Sequence, residues 1–381
     1  MLSLTWFHPD PTAPQVHFSG VPMRSISVAR SLRTWLLVLM GAASATCAAE
    51  PKIALKGDFV PFGLCMSSLS AAEQVAMCQR IGYRGLGLAD LSPSVVKAFT
   101  KVPAVAAGTF RIHSALWWIT VNDTIDTVRF DGILDDAKKM DMAVWMVADG
   151  TDKRDTSVRK AVRLFHKAAD RCKAKGVRLV IYPHLGCVVE TADEAVAMLD
   201  SLRRLGHSEV RMSIHLCHEL KAGHRDSLTK IVKRVAPYLA LASVGGADSN
   251  TASETSLEYW STAIMPLDRG TYDVRPYLQA LSESGYAGAV EYHTYNLTRP
   301  EDADYDNHLE RTYAKWQTLV DAGVSVRNAR LRGGQPRAIG LFGSGIPDGR
   351  HRQEDIPGLG GRLLRSQDGS ANPLIPPPSS P

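Results

Sequence analysis

No two of the six cysteines, at positions 47, 65, 78, 172, 187 and 217, stand at a short paired spacing. A disulfide framework is therefore not expected, even in an oxidising compartment, and buried free thiols are. A glycine-rich phosphate turn is also missing: Leu64-Cys-Met-Ser-Ser68, after the first apolar run, has none. That argues against an open dinucleotide-binding sheet. The one strongly apolar stretch, Thr34 to Ala45, is short for a membrane span, which needs about 20 residues. A basic surface is lacking where it would matter. The net charge of +5 sits in the ends of the chain, with three Arg and one Asp in 1–49 and eight Arg and four acidic residues in 325–381. Residues 50–324 keep 33 basic and 34 acidic residues, which speaks against a nucleic-acid partner.

What is present begins with an export signature. Arg24, Arg30 and Arg33 follow Met23, the apolar stretch comes next, and Cys47-Ala-Ala49 offers a cleavage site. The expected organisation is an upstream extension over 1–22, a signal peptide over 23–49, a folded domain over 50–324 and a disordered Arg/Gly/Pro-rich tail over 325–381. The mature protein is expected to be periplasmic or secreted, without stable membrane insertion.

Between these ends, strand and helix patterns alternate. Strands are expected at Phe62–Cys65, Arg84–Asp90, Phe110–Thr120, Met142–Ala148, Arg178–Tyr182, Val210–Leu216, Tyr238–Val244 and Gly288–Tyr295, each followed by a helix. Signals such as Ser70 with Glu73 (a capping-box spacing) and Gly176 after a long helix mark the boundaries. Eight such pairs over about 265 residues predict an α/β fold, a single (β/α)₈ TIM barrel.

Barrel enzymes carry their working groups at the C-terminal strand ends. Two neighbouring stretches, Gly176-Val-Arg-Leu-Val-Ile-Tyr-Pro-His184 and Val210-Arg-Met-Ser-Ile-His-Leu-Cys-His218, both finish in histidine. Together with His293 they suggest a metal set of His184, His215, His218 and His293, holding Zn, Mn, Fe or Co. Cys187 and Cys217 lie close enough in sequence to join it. Glu291, which shares a strand face with His293, Asp248 and His113 are the candidate acid–base groups. Tyr182, Glu190, Arg269 and Trp117 are the candidate substrate contacts. For each the bland alternative is a packing or capping role: a hydrogen-bonded strand histidine, a structural ion pair for Glu291, a turn cap for Asp248, a solvated arginine for Arg269. A bound divalent ion can clamp two oxygens of a hydroxy-ketone while a carboxylate moves a proton between adjacent carbons.

At these residues the chain resembles the xylose-isomerase-like barrel superfamily, the sugar phosphate isomerase/epimerase group, and most nearly its exported bacterial members. The resemblance covers about residues 60–320. It rests on Gly176 to His184, Leu216-Cys-His-Glu219, Gly246-Ala-Asp248, Pro266-Leu-Asp-Arg-Gly-Thr-Tyr-Asp273 and Gly285-Tyr-Ala-Gly288. It implies isomerisation or epimerisation of a sugar through a metal-stabilised enediol, with a small-molecule sugar as partner and a homo-oligomer allowed. In the family's epimerases the ion is held by Glu, Asp, His and Glu from strands five to eight, and the two glutamates exchange the proton. Here Tyr182, His215, Gly245 and His293 fall at those places, so the glutamate shuttle does not carry over. Rival expectations are a lyase or hydrolase on keto-glycosides using the same site, and a non-catalytic carbohydrate-binding barrel. The abasic-site endonucleases of the same fold group are disfavoured by the near-neutral core.

Overall fold

The computed structural model describes residues 53–150, 154–249, 260–295 and 304–320. The expected signal peptide, the upstream extension and the tail lie outside the described residues. Eight strands form one parallel sheet: β1 (Phe59–Pro61), β2 (Gly85–Leu88), β3 (Arg111–Thr120), β4 (Ala143–Asp149), β5 (Leu179–Ile181), β6 (Arg211–His215), β7 (Leu239–Val244) and β8 (Ala289–Tyr292). Each pairs with its neighbour in sequence from β2 to β8, and β8 pairs with β1. A bridge between Phe62 and Gly87 joins β1 to β2 and nearly closes the ring. The expected α/β TIM barrel is the fold.

The intervening helices are α1 (Ala71–Ile81), α2 (Pro93–Thr100), α3 (Pro103–Ala106), α4 (Thr127–Lys139), α5 (Arg154–Lys175), α6 (Ala192–Arg204), α7 (Leu216–Lys221), α8 (Leu228–Val235), α9 (Trp260–Ala263), α10 (Arg275–Glu283) and α11 (Tyr305–Leu319). Local chemistry sets their ends. Ser70 and Glu73 close a reciprocal capping box on α1, Asp126 accepts from Val128 and Arg129 at the start of α4, and Thr191 accepts from Glu194 on α6. Each such cap is worth about 1 kcal/mol. Among the described residues no helix is long and apolar enough to cross a membrane.

Strand residues alternate between two cores. Outward side chains such as Leu86, Ile112, Val144, Met146 and Val290 join the helices in the larger cluster, and inward ones such as Val60, Phe62, Leu116, Trp145 and Tyr182 fill the barrel. Residues lying two apart on one strand share a face, and alternate strands contribute the four members of each interior layer. From the registers, one layer holds Gly87, Trp145, Ser213 and Glu291. Above it come Phe62, Leu116, Tyr182 and Ser243, then Ala89, Val147, His215 and His293. Trp145 crosses the barrel, its indole N–H donating to Ser213 Oγ at 2.9 Å. Gly87 is glycine because of Glu291: a Cβ there would lie 2.7 Å from Glu291 Oε1 and 2.9 Å from Ser114 Oγ.

Two elements depart from the sequence expectation. The first strand is Phe59–Pro61, and the expected stretch from Phe62 falls largely in a 3₁₀ turn over Gly63–Met66. Pro61 ends β1 opposite Tyr292, a place where its missing N–H is tolerated. The sixth strand stops at His215 and passes without a loop into α7.

Candidate active site at the barrel mouth

β5 leads into Tyr182-Pro-His184, β6 ends on His215, and β8 leads into His293. The turn of α7 then carries His218 back over His215. Ring centres lie 4.2 Å apart for His184 and His218, 5.4 Å for His215 and His218, 5.7 Å for His215 and His293, and 6.5 Å for His218 and His293. The four histidines expected as a metal set therefore converge at the C-terminal end of the barrel. Tyr182 stacks on His215 at 4.0 Å and on Trp145 at 4.3 Å. Trp118 stands edge-on to His184 at 4.8 Å, and Trp260 edge-on to His218 at 5.0 Å.

Hydrogen bonds distinguish the four rings. His184 Nδ1 donates to the Leu185 carbonyl at 2.9 Å, which leaves its Nε2 unprotonated. His218 Nδ1 accepts the Leu185 N–H at 3.3 Å, so its proton resides on Nε2, which faces Tyr182 Oη at 3.1 Å. His215 Nδ1 and Nε2 and His293 Nδ1 are buried with no hydrogen-bond partner. Burial drives all four basicities down, His184 to about 4, His293 to about 3, and His215 and His218 well below the ordinary value. Neutral imidazoles are the form that ligates a metal. Orphaned buried nitrogens are rare unless something is meant to occupy them.

These residues fit a divalent ion. Bare nitrogens stand on His184, His215 and His293, but these three do not bring their ligand atoms within 4.8 Å of one another. The grouping at the mouth that does is His215, Cys217 and His218, and three protein ligands with an open position is the usual catalytic arrangement. Cys217 is a free thiol whose basicity burial pushes up to about 12, so it stays protonated unless an ion replaces the proton. Cys187 Sγ lies 3.5 Å from His184 Nδ1.

The candidate acid–base groups part company. Glu291 is fully inside the barrel, two layers below His215 and His293, with Ser114 Oγ donating to Oε1 at 2.5 Å and Oε2 unpartnered. Burial pushes its carboxyl up to about 7 against that hydrogen bond. Asp248 follows β7 at the upper rim, half-buried, and its Oδ1 accepts from Thr271 N–H at 3.2 Å and Thr271 Oγ1 at 3.4 Å. His113 belongs elsewhere. It is the third residue of β3, at the N-terminal end of the barrel, with Nε2 3.3 Å from Asp58 Oδ2. The expectation placed it at the mouth because the strand's length was not weighed: seven more residues separate it from the C-terminal end.

Of the candidate substrate contacts, Tyr182 lines the site. Trp117 does not: it faces outward and packs on Phe130 of α4 at 4.4 Å, since neighbouring strand residues point to opposite faces. The inward tryptophan is Trp118, and strand alternation from Leu116 was the signal for it. Glu190 ties its own loop, accepting from Gly186 N–H at 3.1 Å. Arg269 is half-buried in the turn after α9, its N–H bonded to Pro266 O at 2.9 Å. Trp260 was missed because it lies far along the chain from any strand end.

The family model for xylose isomerase-like TIM barrels matches residues 112–315, and the chain belongs to that family. A search of curated proteins finds no match. Among solved structures, the IolI protein with a bound zinc atom is similar at 14% identity and a TM-score of 0.53, covering 69% of this chain and 98% of that one. The apo 3-keto-D-glucoside 4-epimerase YcjR from E. coli shares 12% identity with a TM-score of 0.51, covering 68% and 100%. The D-allulose 3-epimerase from Methylomonas sp. in complex with D-allulose shares 14% with a TM-score of 0.51, covering 71% and 98%. At these identities the likeness is one of fold.

Proposed function

We propose that the protein is an exported isomerase or epimerase that moves a proton beside the carbonyl of a small sugar or sugar derivative. The observation that carries this reading is the convergence of four neutral imidazoles, three buried and His184 half-buried, at the mouth of a barrel whose similar structures include sugar epimerases. His215, Cys217 and His218 would hold a divalent ion, with His184 and His293 beside them. An imidazole-rich donor set favours Zn or Fe over Mn. When bound, such an ion polarises a carbonyl oxygen and stabilises an enediolate.

The chain's own residues do the rest. His218 donates Nε2–H to Tyr182 Oη and thereby turns the phenol proton toward the substrate side. Burial keeps that phenol protonated, so Tyr182 is a hydrogen-bond donor to a substrate oxygen and not a base. Glu291 is walled off by the layer of Phe62 and Tyr182, and acts by positioning Ser114 and by its charge. Asp248 is the carboxylate at the rim, steadied by Thr271, and takes the carbon-bound proton. Trp118 and Trp260 offer apolar faces for the sugar ring.

The test is solvent deuterium exchange into ketoses and 3-keto-glucosides by the zinc- or iron-loaded full chain. Exchange at the carbon beside the carbonyl, lost in Asp248→Asn with metal content kept, is the expected result. Absence of exchange from every substrate with metal bound would overturn it and favour a carbohydrate-binding barrel. A second reading, elimination from a keto-glycoside, is favoured by the missing pair of glutamates, because elimination needs only one carbon base. Release of the aglycone from a 3-keto-glucoside would mark it.

A further inference from the structure

The outer helical layer carries a second cluster of metal-ligating side chains, far in sequence from the mouth. His166 and Asp170 stand one turn apart on α5, on one face of the helix. His207 arrives from the turn between α6 and β6. Gly206, at φ 93°, lets the chain reverse there, and His207 N–H bonds to Leu202 O at 3.0 Å. The His207 side chain is 2% exposed. Its Nδ1 lies 3.2 Å from Glu209 Oε1, a carboxylate that accepts the Nδ1 proton. The unprotonated Nε2 is thereby aimed at His166 Nδ1, 2.7 Å away, and at Asp170 Oδ1, 3.4 Å away. Lys173 holds the turn in place, donating to Gly206 O at 3.0 Å, with Glu209 Oε1 3.7 Å off.

We propose that His166, Asp170 and His207 form a divalent-cation site, with zinc as the cation the donors suit best. Two imidazoles and one carboxylate, with ligand atoms within 4.8 Å of one another, are a nitrogen-rich set that prefers zinc, nickel or cobalt to magnesium or calcium. Glu209 supplies the outer carboxylate that orients a ligating histidine. The side chains of His166 and Asp170 are 38% and 58% exposed, so an ion can enter and keep water in its remaining positions. Without the ion, His166 Nδ1–H donates to His207 Nε2; with the ion in that place His166 ligates through Nδ1 and keeps its one proton on Nε2, on the side of Asp170 Oδ2. The bound ion would tie α5 to the turn that feeds β6, a structural role independent of the chemistry at the mouth.

Zinc chloride titration of the untagged full chain at pH 7 tests this, by stoichiometry and by thermal midpoint, in wild type, His166→Gln and Asp170→Asn. Both substituted residues are partly exposed, so both variants should fold. The site predicts that His166→Gln binds one equivalent fewer and loses the zinc-dependent rise in midpoint that the outer site confers. It also predicts that Asp170→Asn weakens that equivalent about tenfold or more. Unchanged stoichiometry and an unchanged zinc-dependent shift in His166→Gln would overturn it, whatever the mouth binds.

Discussion

The two ends of the barrel both carry buried histidine, and they use it in opposite ways. At the N-terminal end His113 is set against a permanent charge. Asp58 also receives Arg84 Nη2 at 2.7 Å and lies 3.8 Å from Arg111. The close approach of His113 and then the Arg84 charge outweigh burial and hold the Asp58 carboxyl down to about 2. At the C-terminal end His215, His218 and His293 are buried and His184 is half-buried, with no carboxylate in the layer of His215 and His293, and nitrogens of these two lack a partner. The first arrangement stores stability; the second withholds it in exchange for binding capacity. Histidine type and burial alone therefore do not mark a site: the neighbouring charge does.

The largest effect should come from His215, a member of the ligand grouping at the mouth. His215→Ala should abolish metal binding there and lower activity by more than the roughly 10–100-fold cost of losing an outer partner of a ligand, as measured by metal content and steady-state rates. His113→Ala should leave turnover unchanged.

Next is the effect of acid. The mouth histidines have folded basicities below the ordinary value near 6.5, so between the two values the unfolded chain binds more protons. Stability is then fully present above about pH 6.5 and falls as the pH drops, by up to about 1.4 kcal/mol per pH unit for each ring. Urea denaturation from pH 8 to 4 should show this slope, reduced in His293→Gln.

At the other end the sign is the usual one for a paired carboxylate. Asp58 contributes about 2 kcal/mol that is present above its unfolded value near 3.9 and is lost as the pH falls toward 2. Asp58→Asn should cost about that much at pH 7 and flatten the acid limb below pH 4, with kcat/KM unchanged. Smaller still, Gly87→Ala should cost about 1–3 kcal/mol through overpacking against Glu291, visible in the thermal midpoint.

Strand alternation and helix spacing made the barrel legible, because buried parallel strands and capped helices are local features of the chain. The histidines of the mouth were legible for the same reason, since each lies at or just beyond a strand end. His113 and Trp117 were misplaced by one physical omission: strand length and facing were not followed residue by residue along β3. Trp260 and the layer that separates Glu291 from the mouth depend on register around a closed ring, which no single strand encodes.

The most direct test of the contrast between the two ends is metal stoichiometry by elemental analysis. It is made in a His166→Gln background, which removes the proposed outer site, with His215→Ala beside His113→Ala. One equivalent of zinc or iron retained in His113→Ala and absent in His215→Ala is the predicted result. No metal bound at the mouth of either, after loading with each ion, would contradict the account.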